Sequence, residues 1–138
     1  MKNMVLGFAF DNNFINVVLI RKLRPKFQNG LLNGVGGKIE NETPLNAMIR
    51  EFKEETGLNI IDWKNICFMK GDDWSVEVFA TINENILRAE TKTDEEVEIY
   101  SVHNLCYLDR CMPNLKFLIE MSMEHLTNPK TFRRAEFI

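Results

Sequence analysis

Between Gly34 and Gly57 the chain runs from a glycine-rich stretch into a capped helix whose acids crowd one flank. The glycines of Gly34-Val35-Gly36-Gly37-Lys38 let backbone carbonyls and amides approach a partner closely. Thr43 suits an N-cap, Pro44 the first helical position and Gly57 the position after the end, so the reading is a helix over Thr43–Thr56. At about 100° per residue, Leu45, Met48, Ile49 and Phe52, with Thr56 among them, form the stripe expected to be buried. Glu51, Glu54 and Glu55 gather on one flank, where like charges repel. Glu54 and Glu55 also lie in the last turn, where the helix dipole prefers cations. Each effect costs only some tenths of a kcal/mol, so a solvated face with an Arg50–Glu54 pair would tolerate it. Five carboxylates (Glu40, Glu42, Glu51, Glu54, Glu55) directly after the glycines favour another role. Clustered oxygens suit Mg²⁺ or Mn²⁺, hard cations that keep waters for a phosphate substrate.

Composition narrows the setting. The 138 residues suit one domain, 1–138, and 45% apolar against 27% charged residues excludes disorder, collagen and coiled coil. The net charge of −3 disfavours a broad surface for nucleic-acid polymers. Cys67, Cys106 and Cys111 are an odd count without C-x-x-C spacing, which points away from a disulfide scaffold or zinc ribbon and toward a reducing cytoplasm. Val17–Ile20, the longest aliphatic run, is far too short to span a bilayer, so no membrane partner is expected. Met4–Phe10 resembles a short signal core, but Asp11 ends it and no cleavage site follows.

Met4–Phe10 and Phe14–Ile20 are β-rich runs around Asp11-Asn12-Asn13 and read as a hairpin. Arg21–Gly34 reads as a loop, Ile60–Lys70 and Trp74–Ile82 as strands around Gly71-Asp72-Asp73, and Val97–Val102 as another strand. Asn114–Leu126 reads as a second helix, with Leu115, Leu118, Ile119, Ser122 and Leu126 at helical spacing, and Thr131–Ile138 as a final strand. Strands around a helix, with another helix late in the chain, imply an α/β sandwich.

Gly36-(x5)-Glu42-(x7)-Arg50-Glu51-Phe52-x-Glu54-Glu55-x-Gly57-Leu58 resembles the Nudix box at all nine of its constrained positions. From average residue usage, a chance match at a given start is about 1 in 10⁹. The resemblance implies an α/β/α sandwich with a mixed β-sheet, a loop-helix-loop catalytic segment and a late second helix. It also implies Mg²⁺- or Mn²⁺-dependent hydrolysis of a nucleoside diphosphate linked to another moiety. Family members commonly read Gly-Gly-Lys-x-Glu-x-Gly-Glu, whereas Gly36-Gly37-Lys38-Ile39-Glu40-Asn41-Glu42 is one residue shorter. The shortening leaves open the place of Glu42 and which glycine carbonyl meets a metal; Gly37 is the one expected.

The resemblance assigns metal ligation to Glu51, Glu54 and Glu55, and catalysis to Glu51, Glu54 and Arg50, without separating base from ligand. A further carboxylate is expected from Glu95 or Glu96, which otherwise belong to a solvated acidic loop. Arg21, Lys22, Arg24 and Lys38 are candidates for substrate phosphates, or else ordinary surface charge. Asn33 resembles the base-reading asparagine of members that sanitise oxidised purine triphosphates, and Asn114 sits where MutT-type members carry a base-reading group. Their alternatives are a turn residue and an N-cap. Trp74 either stacks on a base or belongs to the core or rim. The subgroup marks favour a MutT-type nucleoside triphosphate diphosphatase acting on a small nucleotide, as monomer or homodimer. A dinucleoside polyphosphate or nucleotide-sugar/ADP-ribose hydrolase is the enzyme alternative. A non-catalytic nucleotide-binding regulatory module is the alternative of another class.

Overall fold

The computed structural model describes residues 1–130 and 133–138, with all their side chains but those of Cys106 and Tyr107. In chain order the elements are β1 (Lys2–Phe10), β2 (Asn16–Arg21), β3 (Leu32–Asn33), β4 (Val35–Lys38), α1 (Pro44–Thr56), β5 (Lys64–Lys70), β6 (Trp74–Ile82), β7 (Glu96–Ser101), α2 (Leu115–Thr127) and β8 (Ala135–Phe137). They form the expected sandwich. The sheet runs β3-β2-β1-β6-β5-β8, with β4 also on β1 and β7 on β2. It is mixed: β1 lies parallel to β6 and antiparallel to β4, while β5 pairs antiparallel with β6 and parallel with β8.

Strand alternation sends side chains to two layers. Phe8, Phe10, Leu19, Val78 and Ala80 pack with Leu115, Leu118 and Ile119 of α2. Val5, Val18, Ile20 and Phe79 pack with Met48 and Phe52 of α1. The Phe52 and Trp63 rings meet edge to face at 5.1 Å in this second layer. Cys67 and Cys111 are free thiols. Among the described residues no helix is long and apolar enough to cross a membrane.

The hairpin pairs only at its closed end, Phe10 opposite Val17. Phe14 belongs to the turn, at φ +53°, and Asp11 closes that turn by accepting from the Ile15 and Asn16 N–H groups. Farther along, β4 lies against β1. Pattern reading gave no strand here, because glycine is poor in strands. The reason for it is steric: a Cβ on Gly36 would sit 2.0 Å from the Val5 carbonyl oxygen. The expected strand from Ile60 begins only at Lys64, and Val102 starts a 3-10 turn. Of the expected 131–138 strand, β8 covers 135–137, and Thr131 and Phe132 lie outside the described residues.

Candidate active site

Helix α1 begins and ends as its caps dictate. Thr43 Oγ1 accepts the Asn46 N–H at 3.1 Å, and Gly57, at φ +81°, donates its N–H to the Lys53 carbonyl. The buried stripe is rotated from the expected one. Leu45 is 39% exposed and Ile49 only half-buried, whereas Ala47, Met48, Glu51, Phe52 and Thr56 face inward. Apolar spacing alone places Leu45 inside; Gly37 of β4 leaves room opposite α1 that Glu51 takes instead. Glu51 is 8% exposed, and a Cβ on Gly37 would fall 2.3 Å from its carboxyl carbon.

Arg50 organises this flank. Its Nη1 donates to Glu51 Oε1 at 2.9 Å and to both Glu54 oxygens at 3.4 Å. Its Nε donates to both Glu42 oxygens at 3.1 Å, and its Nη2 donates to the Lys38 carbonyl at 3.0 Å. The shortened loop therefore still delivers Glu42 to Arg50. Asn41 makes the tighter turn at φ +45°, a left-handed value that asparagine tolerates better than most residues. The guanidinium pulls Glu42 below the usual carboxylate range. Burial pushes Glu51 up, an effect the Arg50 hydrogen bond only partly offsets.

The β1–β4 register decides between the two glycine carbonyls. Val5 pairs with Gly37, and the Ile39 N–H donates to the Asn3 carbonyl at 2.9 Å, so the peptide groups of residues 37 and 39 face β1. The carbonyls of Gly36 and Lys38 then face away from β1, where Arg50 takes that of Lys38. In this register the carbonyl of Gly37, the one expected from the sequence, lies in the ladder, and that of Gly36 does not.

From a distant part of the chain comes Glu95, 4% exposed. Its Oε2 accepts the Leu23 N–H at 2.7 Å, and its Oε1 pairs with Lys22 Nζ at 3.0 Å. Burial works to raise its pKa, but these hydrogen bonds and the Lys22 charge outweigh it and hold the group ionised. Glu96 is exposed at the start of β7, whereas Glu95 is buried and lies near Glu55. Burial also raises Glu55, whose Oε2 accepts from the Thr93 hydroxyl at 2.9 Å, and Glu95 and Glu54 add to the rise by repulsion.

The basic candidates separate. Lys22 lies among the carboxylates through Glu95. Arg21 is engaged by Glu98, with two bonds at 2.9 Å, by the Tyr100 hydroxyl and by the Gly30 carbonyl, so its donors hold the fold instead of facing a phosphate. Arg24 pairs with Asp94 at the surface. Lys38 is exposed and, among the described residues, forms no ion pair. Asn33 sits in β3 opposite Ile20, its Oδ1 accepting the Gly34 N–H at 2.9 Å. Asn114 starts α2 without a side-chain capping bond and is exposed, its Nδ2 3.9 Å from Met69 Sδ. Trp74 lies against Gly71 in the β5–β6 turn, 38% exposed, and so belongs to the rim. Thr93 and the orienting bonds of Glu42 were not foreseen as site features. Thr93 meets Glu55 across 38 positions, a contact that leaves no trace in local spacing.

The donors suit a hard divalent cation: carboxylates and one backbone carbonyl, with two of the acids raised by burial and mutual repulsion that a cation would relieve. Arg50 holds Glu51 and Glu54, and among the described residues no three acidic, cysteine or histidine side chains stand ready as a ligand cluster.

A comparison with curated proteins finds no match. Among solved structures, the NUDIX domain of Shewanella oneidensis NrtR complexed with ADP ribose superposes with a TM-score of 0.78 at 15% identity, over 91% of this chain and 88% of that one. A NUDIX-family hydrolase from Clostridium perfringens gives 0.74 at 21% identity over 91% and 97%. A MutT NUDIX hydrolase from Burkholderia pseudomallei gives 0.70 at 16% over 87% and 96%. These likenesses carry the fold, and the model of the NUDIX domain matches residues 4–118. With the box on α1 and its preceding loop, that match makes the chain a member of the Nudix hydrolase family.

Proposed function

We propose that the protein hydrolyses a phosphoanhydride of a nucleoside triphosphate, with Mg²⁺ or Mn²⁺, releasing nucleoside monophosphate and pyrophosphate, and that oxidised purine nucleotides are among its substrates. The observation that supports this reading is the placing of Glu51, Glu54 and Glu55 on one helix flank, with the buried Glu95 linked to Glu55 through Thr93. Glu51, Glu54, Glu55, Glu95 and the Gly36 carbonyl are the groups that would hold the cation. When bound, the cation supplies charge neutralisation at the phosphates and a more acidic water. Glu51, raised by burial, is suited to accept a proton from the attacking water, and Arg50 keeps its carboxylate aimed. Lys22 and Lys38 offer positive charge to the phosphates, and Asn114 and Asn33 offer amides to the base.

Product analysis across (d)NTPs, 8-oxo-dGTP, ADP-ribose and diadenosine polyphosphates tests the reading. Metal-dependent pyrophosphate release, strongly reduced in Glu54→Gln and Glu55→Gln, is expected. Unchanged turnover in both variants would remove the ligand assignment. Turnover confined to ADP-ribose would favour the competing hydrolase reading. Nucleotide binding without turnover would mark a regulatory module.

A further inference from the structure

The segment from Glu90 to Glu95 closes the C-terminal end of α1. The Glu90 N–H donates to the Thr56 carbonyl at 3.0 Å and the Lys92 N–H to the Glu55 carbonyl at 3.3 Å, satisfying carbonyls that the helix leaves open. Thr93 then touches both acids' segments. Its Oγ1 accepts the Glu95 N–H at 3.2 Å and donates to Glu55 Oε2 at 2.9 Å. A backbone N–H only donates, and a hydroxyl has one hydrogen, so the Thr93 proton is committed to Glu55. Among its charged neighbours Glu55 is repelled by Glu95 and Glu54 and attracted by Lys22, and the Thr93 hydroxyl gives it a directed hydrogen bond. Glu95 is fixed from the other side by the Leu23 N–H and Lys22.

We propose that Thr93 is a positioning residue for the divalent cation, its hydroxyl holding the Glu55 carboxylate in place relative to the Glu95 segment so that both acids serve one ion. This rests on the metal-dependent reading above and adds to it a residue outside the box. Thr93 is exposed, so its replacement opens no cavity.

The test is a Mn²⁺ titration of the full chain without nucleotide, followed by electron paramagnetic resonance, on Thr93→Val, Thr93→Ala, Thr93→Ser and Glu55→Gln. Loss of one charge-assisted hydrogen bond predicts about tenfold weaker Mn²⁺ binding in the valine and alanine variants. The serine variant should bind within about twofold of wild type and share its metal-free thermal midpoint. Valine and alanine also remove the acceptor of the Glu95 N–H and should lower that midpoint slightly. Wild-type Mn²⁺ affinity in Thr93→Val and Thr93→Ala would overturn the proposal, as would a serine variant as weak as valine. Glu55→Gln separates the two readings. If it loses Mn²⁺ while Thr93→Val does not, only the role of Thr93 falls; if it binds as wild type, the ligand assignment falls with it.

Discussion

A methyl group on Gly37 would stand 2.3 Å from the carboxyl carbon of Glu51, so β4 and α1 share a volume that glycine alone leaves open. Gly37→Ala must therefore displace either the carboxylate or the strand. The expected result is a fall in kcat of about 10²-fold from misplacement of a catalytic group, with about 1–3 kcal/mol lost in stability from overpacking. Steady-state kinetics and denaturant unfolding check both; a wild-type kcat would show that Glu51 has no fixed position to lose.

Arg50→Lys keeps the charge but not the fork. One guanidinium meets Glu42, Glu51, Glu54 and the Lys38 carbonyl, and an ammonium cannot reach all four. At least a tenfold loss in kcat/KM is expected, carried mainly by kcat, because the substitution frees Glu51. Glu42→Gln should reproduce part of it, since Glu42 orients Arg50. If KM alone changes, Arg50 acts on substrate binding instead.

Arg21 and Glu98 predict an acid-dependent loss of stability. The Arg21 hydrogen bonds hold Glu98 below its ordinary value of 4.5. A lowered carboxylate contributes stability above its unfolded-state pKa and loses it as pH falls through the folded-state value. Glu98→Gln should therefore cost about 1–3 kcal/mol at pH 7. Wild type and variant should converge as the pH drops well below 4.5. Urea unfolding across pH measures this; a gap that persists in acid would show that the pair acts through packing alone.

Asn33 and Asn114 should part company on mutation. The Asn33 amide oxygen already serves the Gly34 N–H, whereas Asn114 makes no capping bond. Asn114→Ala is expected to shift preference among bases with an unchanged thermal midpoint. Asn33→Ala should lower stability by about 0.5–1.5 kcal/mol, and base preference with it if its amide group reads the base. Rates compared across the four dNTPs and 8-oxo-dGTP decide; equal loss on every base in Asn114→Ala would remove its reading role.

The layers were legible because each follows from a local rule. Thr43, Pro44 and Gly57 delimit α1, and alternation along Trp74–Ile82 sorts Val76, Val78 and Ala80 from Phe79. The rotation of α1 was not legible, since Leu45 fits the apolar stripe by spacing and Glu51 fits inside only because Gly37 lies opposite it. Strand β4 escaped for the same reason: glycine propensity argues against a strand, and only contact with Val5 explains it.

By itself the sequence determined the family, the capped acidic helix and the class of ion that its oxygens suit, because near-neighbour spacing and side-chain chemistry are written locally. The tertiary structure alone decided that Glu95 and not Glu96 is buried beside Glu55, and that the carbonyl of Gly36 and not Gly37 faces away from the ladder. It also decided that Lys22 lies beside the acids while Arg21 holds Glu98. These choices depend on strand register and on contacts across 70 or more positions, such as Lys22–Glu95 at 73 and Arg21–Glu98 at 77. A shift of one residue along a strand reverses which face a side chain or which side a carbonyl takes, and no local pattern carries that information.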